Sequence, residues 1–270
     1  MPDTQTFTFR RDDLLPMADR LRPRFQAATP FRHVVIDDFL PPDVLEPVLD
    51  EFPEPRDRSW QQFDSSREIK LALADTERMG PATRHLLAEF NGQVFVDFLE
   101  RLTGIGRLVS DPHYEGGGLH QIRPGGFLKV HADFNRHRRL GLDRRLNGLL
   151  YLNKDWEEDY GGHLQLWNRE MTRCEHKILP VFNRFVVFAT TDDANHGHPD
   201  PLTCPEDRAR RSMALYYYTN GRPGEETGED HTTVFKQRPG EEWKSTLRQA
   251  AKRWTPPALV DLVSRRGRDR

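Results

Sequence analysis

Apolar residues recur at roughly helical spacing in two stretches of the first hundred residues and in short extended runs over the next hundred. Between residues 10 and 28, Leu14, Leu15, Met17, Ala18, Leu21 and Phe25 predict an amphipathic helix, imperfect because Pro16 and Pro23 lie inside it. "FRHVVIDDFL" (31–40) reads as a buried strand and its exit. "PPDVLEPVLDEF" (41–52) reads as a helix opened by prolines and an aspartate. The clearest helix spans 81–103, where Leu86, Phe90, Val94, Phe98 and Leu102 fall four apart and Gly104 supplies a stop.

After residue 105 short β-type runs alternate with Gly, Pro and Asp/Asn turns: "GLHQI", "FLKVHADF", "NGLLYLN", "GGHLQLW", "HKILPVFNRFVVFAT" and "SMALYYYT". Helices first and strands afterwards argue for an α+β fold, mainly a β core of sandwich or barrel type buttressed by N-terminal helices, and against alternating βαβ units. The expected organisation is a single domain over 1–270. Residues 1–104 give mainly helical support, 105–220 the core, and 221–270 a C-terminal extension with a helix over 241–254 and a solvated tail, "SRRGRDR".

Composition narrows the setting. A net charge of −2 over 270 residues gives no global pull toward nucleic acid or membrane. Cys174 and Cys204 form no CxxC pair and no framework, which points to a reducing compartment. "MPDTQTFTFR" lacks an apolar signal region, and no apolar run reaches bilayer length. The expectation is a soluble cytoplasmic protein without a membrane partner.

The chemistry starts at "KVHADFN" (129–135). Side chains two apart on a strand share a face, so His131 and Asp133 aim together and need a partner. H-x-D alone is a weak signal, and "HPD" at 198–200 is a second instance. A further candidate ligand, His196, follows the strand "NRFVVFAT", with His198 as its competitor. Two histidines and one carboxylate on one face of a metal leave three positions open, the facial triad of non-haem Fe(II) oxygenases. An arginine at the head of "RRSMALYYYT" (210–219) can fork onto a carboxylate. Arg211 shares a face with Met213, Leu215 and Tyr217, and Arg210 lies opposite with Ser212 and Ala214; geometry unaided does not choose between them.

"YLNKDWEEDYGGHLQLW" (151–167), set between "HAD" and "NHGHP…RRSMALYYY", resembles the prolyl 4-hydroxylase branch of the Fe(II)/2-oxoglutarate-dependent oxygenases. The likeness covers roughly 105–220. It implies a double-stranded β-helix, or jelly roll, of cupin-like type, and a hydroxylase that consumes 2-oxoglutarate and O₂ and releases succinate and CO₂. It implies His131, Asp133 and His196 as Fe(II) ligands and catalytic centre. It assigns Arg211, by its place before the last core strand, to the far carboxylate of 2-oxoglutarate, with Tyr151 donating to the same group and Leu164 as apolar lining. Gln121 stands near the place of a second family tyrosine and is a further candidate for the co-substrate site. Asp133 itself argues against a halogenase, which needs that position vacant. The segment "GHPDPLTCPEDRAR" is longer than usual in the family and is expected to form a loop at the site mouth.

The expected substrate is a small molecule, an amino acid or a prolyl-type peptide residue. The run "RHRRLGLDRR" (136–145) follows the ligands directly, so Arg136, Arg138, Arg139, Arg144 or Arg145 could attract an anionic one. The alternatives are a non-oxidative cupin-like metal-binding protein, which would have no use for an arginine and tyrosine at the metal, and a nucleic-acid demethylase, which the balanced charge disfavours.

Overall fold

The computed structural model describes residues 7–223 and 229–241. The chain divides into a compact unit ending at Lys236 and a second unit beginning at Gln237. Of the second, the described part is a short turn in which the Arg238 guanidinium donates to Glu241. The helix expected over 241–254 and the terminal tail lie outside the described residues, apart from Glu241.

The N-terminal part carries helices α1 (Arg11–Ala27), α2 (Pro42–Asp50), α3 (Pro81–Phe90) and α4 (Gln93–Thr103). It also carries strands β1 (His33–Ile36), β2 (Gln61–Asp64) and β3 (Glu68–Leu73). The remaining strands are β4 (Val109–Ser110), β5 (Gly118–Ile122), β6 (Phe127–Ala132), β7 (Asp143–Tyr151), β8 (Leu164–Trp167), β9 (Cys174–Ile178), β10 (Phe185–Ala189), β11 (His196–His198), β12 (Arg210–Thr219) and β13 (Val234–Phe235). They pair antiparallel in the order β1-β10-β7-β12-β5-β3-β6-β11-β8-β9, with β13 on β6, β2 on β3 and β4 on β12. This is the expected mainly β, double-stranded β-helix core with helices against one face.

Two differences from the pattern are informative. The helix expected over 81–103 is two helices, because Asn91 and Gly92 turn the chain. Asn91 Nδ2 donates to the Asp111 carbonyl at 2.9 Å and to the Tyr114 hydroxyl at 3.0 Å, bonds that hold it at the corner. Gly104 ends α4 in the left-handed conformation, φ 74°, as expected. The N-terminal part is also less purely helical than its apolar spacing suggests. β1 falls in the strand expected over 31–40 and pairs with β10; β2 and β3 are the unexpected strands, and β3 bridges β5 and β6, so β1 and β3 both complete the main sheet.

Strand β12 lies at the centre, between β7 and β5, and its alternation sorts the molecule into two cores. Met213, Leu215 and Tyr217 face outward and join Phe185, Val187 and an aromatic cluster of Phe9, Phe39, Phe90, Phe95 and Phe98. Ser212, opposite Tyr151, lies on the inward face, with Ala214, Tyr216 and Tyr218 beyond it. Tyr151, Leu164, Leu166, Ile178, Val186 and Phe188 form a second apolar cluster. Among the described residues no helix is long and apolar enough to cross a membrane.

Phe95 is fully buried and meets Phe9, Phe90, Phe98, Phe185 and Tyr217 with ring centroids 4.8–6.1 Å apart. Phe95→Ala is expected to lower unfolding free energy by about 3–5 kcal/mol, read as a shift of the denaturant midpoint with an unchanged slope.

Candidate metal and co-substrate site

β6 and β11 lie side by side with His131 directly opposite His196, and Asp133 follows one residue past the end of β6. The two imidazole centroids are 4.5 Å apart. Asp133 Oδ1 is 3.5 Å from His131 Nε2, and Asp133 Oδ2 is 3.4 Å from His196 Nε2. One ligand atom from each residue lies within 4.8 Å of the others. Adjacent ligands on an ion with bonds of about 2.1 Å are about 3 Å apart, so small side-chain adjustments suffice to seat one.

The ring tautomers suit a metal. His131 Nδ1 contacts the Lys129 carbonyl at 2.9 Å, and His196 Nδ1 contacts the Ala194 carbonyl at 2.8 Å. Donation from each Nδ1–H leaves the Nε2 lone pairs turned to the carboxylate and free to ligate. Burial pushes His196 down to about 4, against the pull of Asp133, so it is neutral near pH 7. Burial by itself would raise the Asp133 carboxyl; Arg144, then His196 and His131, outweigh it and hold the group well below the usual carboxylate range. Arg144 Nη2 lies 3.2 Å from Asp133 Oδ2, and Asn147 Nδ2 donates to the same oxygen at 2.7 Å.

Glycine at 197 makes the β6–β11 approach possible. A Cβ there would lie 2.9 Å from the carbonyl oxygens of Leu128 and Lys129, both backbone atoms of β6.

The arginine pair separates cleanly. Arg210 is 5% exposed and points inward. Its Nε donates to the Gly162 carbonyl at 2.8 Å and its Nη2 to the Tyr151 hydroxyl at 3.2 Å. A Cβ on Gly162 would lie 2.9 Å from Arg210 Cδ, so the double glycine of "YGGHL" leaves room for this side chain. Arg211, which the resemblance singles out, is half-buried on the opposite face. Its guanidinium lies 5.1 Å from the Phe52 ring centroid, and it lines an outer groove of about 180 Å³ with Leu49, Leu152 and Trp156. Gln121 sits directly opposite Arg211 on β5 and shares that outer face. The residue across from Arg210 is Ile122. Strand alternation therefore removes both Arg211 and Gln121 from the triad's side of the sheet, while Tyr151 and Leu164 pack together.

Of the arginines in 136–145, Arg136 and Arg138 are exposed beside Asp230 and Glu115, and Arg139 meets His113. Arg145 is buried and donates to Thr219. Arg144 is 1% exposed and stacks on Tyr216 at 3.5 Å and Phe134 at 4.4 Å. Sequence reasoning missed Arg144 and Asn147 as supports of Asp133; the signal was charged and amide residues inside the apolar run "DRRLNGLLY". The extended loop after His198 packs Leu202 and Cys204 against Trp156 and Ile122.

Residues 117–248 match the family model of the 2OG-Fe(II) oxygenase superfamily. That match covers just under half of the chain; with the fold and the triad it supports a 2-oxoglutarate-dependent dioxygenase of hydroxylase type that uses Fe(II) as metal and 2-oxoglutarate and O₂ as co-substrates. Its fold is that of the prolyl 4-hydroxylases. A prolyl hydroxylase from Trichoplax adhaerens, solved with a hypoxia inducible factor oxygen degradation domain peptide fragment, is similar at TM-score 0.56 and 19% identity, covering 77% of this chain and 91% of that one. A Pseudomonas putida prolyl-4-hydroxylase is similar at TM-score 0.53 and 20% identity, covering 77% and 100%. Prolyl 4-hydroxylases from Phytophthora capsici are similar at TM-score 0.55 and 19% identity, covering 92% and 77%. No curated protein sequence matches the chain.

Gly197→Ala, which removes no ligand, is expected to weaken Fe(II) or Mn(II) binding by about 10- to 100-fold, the usual effect of disturbing a metal's supports; His131→Ala should abolish binding in the same anaerobic titration.

Proposed function

We propose that the enzyme hydroxylates a small molecule, an amino acid or a prolyl-type residue, and that Arg210 with Tyr151 holds the far carboxylate of 2-oxoglutarate. The observation that carries this reading is a buried guanidinium with no carboxylate partner among the described residues. Burial lowers its pKa, and Tyr151 is the neighbour that opposes the shift. A buried cation without a counter-charge is unfavourable, and a ligand carboxylate supplies the missing one. Tyr151 is fully buried, and burial, partly offset by Arg210, raises its pKa, so the phenol keeps its proton. Having accepted from Arg210, its O–H remains available to donate to the same carboxylate.

Leu164, packed on Tyr151, provides an apolar wall along which the carbon chain of the co-substrate lies. Bound iron supplies the redox chemistry that couples decarboxylation to oxidation of a substrate C–H bond. The chain's own groups fix the keto acid, keep Asp133 ionised and exclude water. In balance, substrate, 2-oxoglutarate and O₂ give hydroxylated substrate, succinate and CO₂. The guanidinium–phenol pair also weighs against a non-oxidative cupin role, which has no need of a dicarboxylate clamp. The unpaired cysteines, Cys174 and Cys204, fit action in the cytoplasm.

Succinate formation with Fe(II), 2-oxoglutarate and O₂, run with pools of metabolites and prolyl peptides, tests the proposal. Arg210→Ala is expected to raise the KM for 2-oxoglutarate by at least about 100-fold, in line with loss of a charge-assisted clamp, while Arg211→Ala changes it less than about threefold. Equal effects of the two substitutions would reject Arg210 as the anchor.

A further inference from the structure

One more side chain beside Arg210 lacks a partner. His198 ends β11, two residues after His196, and is 4% exposed. Neither ring nitrogen has a hydrogen-bond partner among the described residues. Arg210, Lys70, His131 and His120 are its charged and imidazole neighbours. An imidazole offers an N–H donor at one nitrogen and, unless protonated, a lone pair at the other. Leaving both unmade in a dry interior is unfavourable, so such a group calls for an occupant.

The surroundings define that occupant's sign. Arg210 has no carboxylate partner among the described residues, and its remaining N–H groups are donors only. Lys70 is 3.0 Å from Glu68, so its charge is already matched. His120 is pushed down to about 3 by burial and by Lys70, and its Nε2 already meets the Gly116 carbonyl at 3.2 Å. Donors without acceptors thus gather on one side of the triad. The pairing of His198 with Leu128, and of Leu128 with Glu68, sets His198 on the wall that joins the triad to this group.

We propose that His198 donates a hydrogen bond to the co-substrate carboxylate held by Arg210, and so is a third member of the 2-oxoglutarate clamp. The proposal rests on Arg210 being the anchor. It adds a specificity determinant: the site reads the far carboxylate through guanidinium, phenol and imidazole together, and rejects 2-oxo acids that end in a methyl group.

The test measures anaerobic binding to the Fe(II)-loaded chain, followed by the charge-transfer absorbance of the iron–keto-acid complex. The ligands are 2-oxoglutarate and 2-oxopentanoate, which keeps the keto acid and lacks the far carboxylate. His198→Val is expected to weaken 2-oxoglutarate at least about tenfold, as for a hydrogen bond to a charged group, and 2-oxopentanoate less than about threefold. His198→Gln, which keeps a donor, should recover most of the loss. Equal weakening of both ligands would show a packing role and overturn the proposal, as would no change in either. Should the variants not fold, the wild-type chain loaded with Zn(II) gives the answer by ¹⁵N-histidine NMR. A slowly exchanging imidazole N–H must appear with 2-oxoglutarate and not with 2-oxopentanoate; its absence rejects the proposal. If wild type shows no preference between the two ligands, or Arg210→Ala leaves the preference intact, the anchor reading fails instead, whatever His198 does.

Discussion

A carboxylate kept ionised away from bulk water is the constraint on which the inner face depends. Asp133 is held charged by Arg144, His196 and His131, and Asn147 accepts part of the task by donating to Oδ2. Arg144 in turn is fixed between Tyr216 and Phe134. Stacking a guanidinium on aromatic faces lets it stay buried while its edge serves the acid. Remove that support, and the cost of burying the negative charge would drive Asp133 toward its neutral form, which ligates poorly.

The co-substrate end carries the opposite imbalance. There, among the described residues, a guanidinium is buried with a phenol and a carbonyl but no acid, beside an imidazole whose nitrogens are unmatched. The triad end is complete within the chain apart from the metal; in the proposed reading the carboxylate of the co-substrate completes the other.

Much of this was legible in the residues. The strand runs after 105 and the helix over 11–27 follow from apolar spacing, and the triad follows from H-x-D plus a histidine after an apolar strand. The break at Asn91–Gly92 was not legible, because apolar spacing of four continues across it and the bonds that enforce it come from Asp111 and Tyr114. β2 and β3 were missed because their polar exposed edge carries little apolar signal; β2 is mostly exposed. The choice between Arg210 and Arg211 needed the register. Adjacent residues of a strand face opposite ways, and only pairing of Ser212 with Tyr151 tells which way is in. The same one-residue parity removes Gln121 and brings in Ile122.

Strand β13 comes back after the last long strand and lays Val234 and Phe235 opposite Ala132 and His131, with the Phe235 ring 5.6 Å from the imidazole. The wall behind the first ligand is thus built from a part of the chain that lies outside the barrel's own strand sequence. Divergence in that returning segment is not neutral tail drift: exchanging it for an unrelated sequence would reshape the backing of His131 while leaving every ligand in place.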